Sequence, residues 1–275
     1  MTVLRAACIQ MRSTPDVAPN IDAASRLIRA AVADGAQFVA TPEMTNILDI
    51  RPGQARPRIK LEEEDASLKA LRDLACELGI TLLVGSLAIA LTEDSRFANR
   101  SFLIAPDGAI LARYDKIHMF DVEVGDGQAY RESKAYRAGT SASVTQTPNG
   151  KIGMTICYDV RFPHLYRALG QAGADLITVP AAFTRVTGAA HWHILLRARA
   201  IETGCFILAP AQGGQHEDGR ETFGHSLIVS PWGEILAEAD HDEPGYIVAD
   251  LELEQVAQAR RRIPSLHNDQ DVSFR

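Results

Sequence analysis

One stretch of this chain occurs twice. Asp34-Gly35-Ala36-Gln37-Phe38-Val39-Ala40-Thr41-Pro42 returns as Ala172-Gly173-Ala174-Asp175-Leu176-Ile177-Thr178-Val179-Pro180. In each copy a Gly-Ala pair closes a helical stretch, an apolar run follows, and proline stops it. The turn Pro106-Asp107-Gly108 has a counterpart in Pro231-Trp232-Gly233. Gly-Ala ahead of a buried strand is common loop chemistry, so the weight falls on the order of elements around it.

That order also repeats. Periodicity predicts a strand at 4–10, a helix at 21–33, a strand at 38–41, a helix at 67–78 and strands at 81–86, 101–105 and 109–114. The second half follows with a strand at 151–156, a helix at 163–171, a strand at 176–179, a helix at 191–203 and a strand at 205–209, closed again by a hairpin. A duplication of this length implies two β-rich halves, each with helices on one face, packed sheet against sheet about a pseudo-twofold axis. The expected fold is α/β, a four-layer α-β-β-α sandwich, with residues 1–275 as a single domain.

Two stretches break the pattern. Residues 50–60 are rich in Arg and Pro and read as a loop, followed by Glu62, Glu63, Glu64 and Asp65 at a helix start, where the macrodipole favours anions. Residues 117–138 have little periodicity and, with Gly125, Asp126, Gly127 and the following Gly139, form the kind of long irregular segment that often serves function. Whether it closes as a lid is left open. A helical stretch from near Leu253 ends in Arg260-Arg261-Arg262, where cations suit the C-terminal dipole; the tail from about 252 is the alternative candidate for an oligomer contact.

Composition narrows the function classes. Hydrophobic residues make up 46% and charged residues 23%, which is ordinary for a chain that buries a core. The net charge of -7 gives no general attraction to a phosphate backbone or an anionic membrane surface, so neither nucleic acid nor membrane is an expected partner. Residues 1–11 lack a signal-type apolar region, and a cytoplasmic location is expected. The cysteines Cys8, Cys76, Cys157 and Cys205 lie far apart, without disulfide or zinc spacing. Cys8, Cys76 and Cys205 read as buried small hydrophobes. His191-Trp192-His193 suggests a metal, but residues two apart on a helix face different ways, so no metal and no cofactor is expected.

Chemistry concentrates at three strand ends. Cys157 follows an apolar strand and precedes a turn into a helix, a position where the amides of the turn can face a developing oxyanion. Glu43 and Lys116 follow the strands at 38–41 and 109–114. A free thiol, with a pKa near ~8.5, needs a neighbouring base or cation to act as a nucleophile. An active Cys157 is therefore expected to have a depressed pKa. Each residue has an ordinary structural reading too, and spacing alone does not assemble them into one site.

The segments Thr41-Pro42-Glu43, Arg113-Tyr114-Asp115-Lys116-Ile117-His118 and Cys157-Tyr158-Asp159-Val160-Arg161-Phe162-Pro163 resemble the signature blocks of the nitrilase (carbon–nitrogen hydrolase) superfamily, in the same order. His191-Trp192, the run from Leu195 to Glu202, Gly224-His225-Ser226 and Pro231-Trp232-Gly233 resemble its Nit branch, and the resemblance covers essentially the whole chain. It implies a hydrolase of small linear amides such as deaminated glutathione, working through a cysteine thioester and releasing ammonia. ω-Amides of the α-ketoglutaramate type, N-carbamoyl compounds and nitriles are alternative substrates, and an inactive binding relative is the remote one.

The resemblance assigns Cys157 as nucleophile, Glu43 as base, and Lys116 with the Tyr158 backbone N–H as the oxyanion site. Glu132 would be the second glutamate, orienting Lys116 and substrate. Arg161, Thr184 and His191 are the candidates for substrate binding, with Arg197 and Arg199 as further candidates for a substrate carboxylate. A homodimer or higher homo-oligomer is implied. The chain departs from the branch at His193, where many relatives carry Glu, and at Thr45-Asn46, where many carry an aromatic residue.

Overall fold

The computed structural model describes residues 3–51, 53–124, 129–271 and 273. The first half runs β1 (Val3–Gln10), α1 (Val17–Ala33), β2 (Phe38–Ala40), α2 (Ala66–Leu78), β3 (Thr81–Ala90), β4 (Phe97–Ile104) and β5 (Ile110–Asp115). A short hairpin of β6 (Asp121–Glu123) and β7 (Ala129–Arg131) follows. The second half runs β8 (Ser143–Thr147), β9 (Gly150–Met154), α3 (Pro163–Gln171), β10 (Leu176–Thr178), α4 (Arg185–Thr203) and β11 (Phe206–Ala209). A second hairpin, β12 (Gly213–Gln215) and β13 (Glu221–Phe223), precedes β14 (Leu227–Val229) and β15 (Ile235–Glu238). The chain then returns as β16 (Gly245–Glu252) and α5 (Glu254–Arg262).

Two six-stranded sheets result, ordered β16-β1-β2-β3-β4-β5 and, read from the matching edge, β8-β9-β10-β11-β14-β15. In each, three parallel strands (β1, β2, β3 and β9, β10, β11) carry two helical crossovers, and antiparallel strands flank them. The chain therefore adopts the expected four-layer α-β-β-α sandwich with its internal twofold. Ala6 lies opposite Phe38, and Ile152 opposite Leu176. Five residues beyond each of these, the twofold relates Cys157 to Met11 and Glu43 to Ala181.

The alternation of side chains explains the layers. Leu4, Ala6 and Cys8 of β1 belong to the core between the sheets, which also holds Met154 and Ile207, while Ala7 and Ile9 pack under α1 and α2. The central strands are buried on both faces, which is why they read as continuous apolar runs.

Several boundaries differ from expectation. Helix α1 begins at Val17 because Pro19 falls in its first turn, where a missing N–H costs nothing. Helix α4 begins at Arg185, capped by Thr184, whose side chain accepts from the Thr187 N–H. Gly188 in its first turn is a packing requirement, since a Cβ there would lie 2.3 Å from Phe223. Glu62–Glu64 form a 3-10 turn instead of the helix start, and Asp65 caps α2 by accepting from the Leu68 N–H at 2.8 Å. Strand β16, which pairs with all of β1, was not expected from periodicity. Cys76 is exposed, not buried, in the last turn of α2, whereas Cys8 and Cys205 are buried.

Candidate active site

Glu43, Lys116, Glu132 and Cys157 come together. Glu43 follows β2 in a turn held by the Thr41–Thr45 hydroxyl contact at 2.8 Å and by the Met44 N–H, which donates to the Ser86 hydroxyl at 2.9 Å. Lys116 follows β5. Cys157 opens the 3-10 turn Cys157–Arg161, and its N–H donates to the Pro180 carbonyl at 2.9 Å. Cys157 has φ 49° and Met44 φ 56°, left-handed values that are strained for residues with a side chain. The hydrogen bonds around both turns hold the strain.

Lys116 Nζ donates to Glu43 Oε1 at 2.9 Å and to both Glu132 oxygens at 3.0 and 2.9 Å. The other Glu43 oxygen accepts from the Ala182 N–H at 2.9 Å. Glu43 also lies within electrostatic reach of the Cys157 thiol. Glu43, Lys116 and Cys157 are all buried, Lys116 to 2% exposure, so water screens these charges poorly.

Two positioning residues were missed at the sequence level. Asn99, buried in β4, donates from Nδ2 to Glu43 at 2.8 Å and to Glu132 at 3.2 Å, holding the two carboxylates around one lysine. Its only sequence signal is an amide inside an apolar stretch. Asp159 accepts from Ile156 N–H, Tyr114 hydroxyl, His118 N–H and His118 Nδ1 at 2.9, 2.7, 3.1 and 2.7 Å. It thereby ties the Cys157 turn to both sides of Lys116, and His118 is used locally.

Burial pushes the Cys157 thiol well up, and Glu43 adds to that rise against Lys116 and the Ala182 N–H. This overturns the expected depressed thiol pKa. Burial also opposes the Glu43 anion, but Lys116 and Asn99 outweigh it and hold the carboxyl below its ordinary 4.5. For Lys116 burial opposes the charge, and Glu132 with Glu43 outweighs it, lifting the ammonium well above its ordinary range. At neutral pH the arrangement is a neutral thiol beside a carboxylate and an ammonium. Such a set can pass a proton from sulfur to carboxylate during attack on an electrophile, without storing a thiolate.

The cluster opens into a cavity of about 560 Å³ lined also by Tyr158, Thr184 and Arg220. The β6–β7 hairpin and the turn after it supply one wall; Gly125, Asp126 and Gly127 lie outside the described residues. Gly139 is dictated by close approach, because a Cβ there would stand 2.2 Å from the Asp115 carbonyl.

Of the residues expected to bind substrate, Thr184 lines this cavity and two others do not. The Arg161 guanidinium sits over the Phe183 and Tyr158 rings, 5.2 and 5.9 Å from their centroids, and 3.3 Å from His191 Nδ1. His191 is exposed on α4. Arg197 is engaged with the Gly233 carbonyl, and Arg199 with the Val160 carbonyl and Glu202, so both brace the fold.

Away from this cavity, one group among the described residues has metal-ligand geometry. Ligand atoms of His193, His225 and Glu238 lie within 4.8 Å of one another. The sequence reading paired His193 only with His191, whereas its neighbours come from beyond β13 and from β15. His193 Nε2 and Glu238 already share a 2.8 Å hydrogen bond, and His225 stacks on Phe223.

Residues 5–261 match the family described as carbon-nitrogen hydrolase. A deaminated glutathione amidase from Synechocystis sp. is 42% identical over 270 residues, 96% of this chain and 97% of the relative. Among solved structures, the C. elegans NitFhit protein superposes with a TM-score of 0.89 at 33% identity, over 98% of this chain and 65% of that longer one. An amidase mutant from Nesterenkonia sp. AN1, seen after Michael addition of acrylamide at its active-site cysteine, superposes with a TM-score of 0.78 at 28% identity, over 95% of this chain and 98% of that one.

Proposed function

The chain belongs to the carbon–nitrogen hydrolase family, and we propose that it hydrolyses small acid-bearing amides of the deaminated glutathione type, with Cys157 as nucleophile. The observation that carries this reading is the buried cluster on one cavity in which Glu43 accepts from Lys116 and lies within electrostatic reach of the Cys157 thiol. The similar amidases and the acrylamide-modified cysteine of the Nesterenkonia relative support it.

In this reading Sγ of Cys157 attacks the amide carbonyl carbon as Glu43 takes the thiol proton. The carbonyl becomes an oxyanion held by Lys116 Nζ and the Tyr158 N–H. Glu43 then protonates the nitrogen, the C–N bond breaks, and the amine leaves a thioester. A water molecule, deprotonated by Glu43, attacks that thioester; the acid departs and the thiol regains its proton. Glu132 and Asn99 keep Lys116 and Glu43 in place.

One expectation needs correction on chemical grounds. Both amide nitrogens of deaminated glutathione carry a carbon substituent besides the acyl group, so cleavage releases an amine, not ammonia. Hydrolysis of its γ-amide gives 2-oxoglutarate and cysteinylglycine. Ammonia is the product only from primary amides such as α-ketoglutaramate. Incubation with each substrate, following 2-oxoglutarate together with thiol dipeptide or ammonia, tests the reading against Cys157→Ala. Absence of turnover on either substrate in the folded protein would refute it.

The remaining features of the reading are a single domain, a homo-oligomer and a cytoplasmic location. Exposed Ile194, Ile201, Trp232 and Ile263 support association, and four unpaired cysteines support a reducing compartment. Among the described residues no helix is long and apolar enough to cross a membrane.

A further inference from the structure

The cavity wall holds several cations, and most are already engaged. Asp49 holds Arg51 at 2.7 and 2.8 Å, and Glu123 holds Arg131 at 2.6 Å. Arg56 donates to the Ser95 carbonyl at 2.7 Å and lies over Phe97, and Lys134 is exposed. Arg220 differs. Its Nε is buried without a hydrogen-bond partner, and among the described residues no carboxylate ion-pairs with its side chain.

A buried guanidinium nitrogen without an acceptor has lost its water and received nothing in return. The loop around it is nevertheless well anchored. The Arg220 N–H donates to Asp218 at 3.0 Å, Asp218 accepts from the Ile50 N–H at 2.9 Å, and the Arg220 carbonyl accepts from the His216 N–H at 2.8 Å. Anchoring of this kind presents the side chain to the cavity and does not neutralise it. The buried Tyr136 hydroxyl lies within electrostatic reach of Arg220 and also of Glu132, Glu43 and Lys116, so the free guanidinium belongs to the same chamber as the reacting groups.

We propose that Arg220 is a carboxylate-binding subsite of this cavity and sets the enzyme's preference for amides that carry a free acid. A carboxylate matches the guanidinium fork geometrically and supplies the acceptor that Nε lacks. The inference rests on the amidase reading above and adds the residue that selects among amides. The carboxylate can come from the oxo-acid portion of the substrate or from the glycine end of the leaving amine; the chemistry at Arg220 is the same.

The test has a kinetic arm and a binding arm. In the first, kcat/KM of wild type and Arg220→Met is compared on deaminated glutathione and on its analogue with the glycine carboxylate methylated. Should Arg220 hold the glycine carboxylate, wild type prefers the free acid by roughly 10- to 100-fold, in line with charge-assisted hydrogen bonds, and the variant loses that preference. Should it hold the oxo-acid end, the variant falls by a similar factor on both compounds. In the second arm, calorimetry measures 2-oxoglutarate and N-acetylglycine binding to Cys157→Ala, with and without Arg220→Met. Loss of either ligand supports the subsite and identifies its source, while equal binding of both overturns it. Because binding needs no turnover, an enzyme inert towards every amide refutes the amidase reading and leaves the Arg220 question decided by calorimetry.

Discussion

Lys116 Nζ lies 2.9 Å from Glu43 Oε1, and both side chains are nearly sealed from solvent. The pairing fixes the ionisation of Glu43. Since the folded state holds Glu43 below its ordinary 4.5, the carboxylate persists as the pH falls until it passes that lowered value. Cys157 and Lys116 are both raised, so neither loses its proton near neutrality. The expected kcat/KM profile is flat from about pH 5 to about pH 9. An ascending limb centred near neutrality in a pH–rate measurement would rule out this arrangement.

Removing the cation should cost more than removing the whole pair. Lys116→Met leaves the buried Glu43 and the half-buried Glu132 without their counter-charge, a change expected to destabilise the fold by about 3–5 kcal/mol. Adding Glu43→Gln to that variant should restore part of the loss, and urea unfolding of the single and double variants measures it. A double variant no more stable than Lys116→Met alone would show that the two groups are not energetically coupled.

Asn99 offers a subtler probe. Its amide stabilises the Glu43 anion, so Asn99→Leu should move the acid limb of the activity profile to higher pH and lower kcat by roughly 10- to 100-fold. A uniform loss of activity, with the limb unmoved, would indicate a packing role only.

His216 links acidity to stability. It is buried, donates from Nδ1 to the Ser13 carbonyl at 2.9 Å and accepts at Nε2 from Thr222 at 2.7 Å. Burial lowers its pKa from 6.5 to about 4. The unfolded chain therefore binds the proton first as pH falls, and stability present above 6.5 declines between 6.5 and about 4, by up to roughly 3 kcal/mol. His216→Gln should flatten the denaturation midpoint across that window; an unchanged slope would exonerate the histidine.

Much of this was legible from the chain itself, for identifiable reasons. Glu43, Lys116 and Cys157 stand at strand ends, where a buried apolar run stops and the backbone turns toward a cleft. The duplication foretold both sheets because strands buried on both faces leave uninterrupted apolar runs. What escaped notice depends on partners remote in sequence. Asn99 sits two residues before the run first read as a strand, and only the folded sheet brings it 2.8 Å from Glu43. Arg220 lies in a polar hairpin whose significance is the cavity it faces. Cys76 was read as buried from its helix, but its position on α2 faces solvent.

The internal twofold pairs Cys157 with Met11 and Glu43 with Ala181, so the architecture is duplicated and the proposed reactive centre is not. Engineers value repeated parts because one can stand in for another, and here that redundancy ends at the backbone. Each half supplies components the other lacks: the first contributes carboxylates and ammonium, the second the sulfur. A lesion at Cys157 or Glu43 thus meets no backup in the sister half, whereas Met11 and Ala181 are free to drift wherever packing permits.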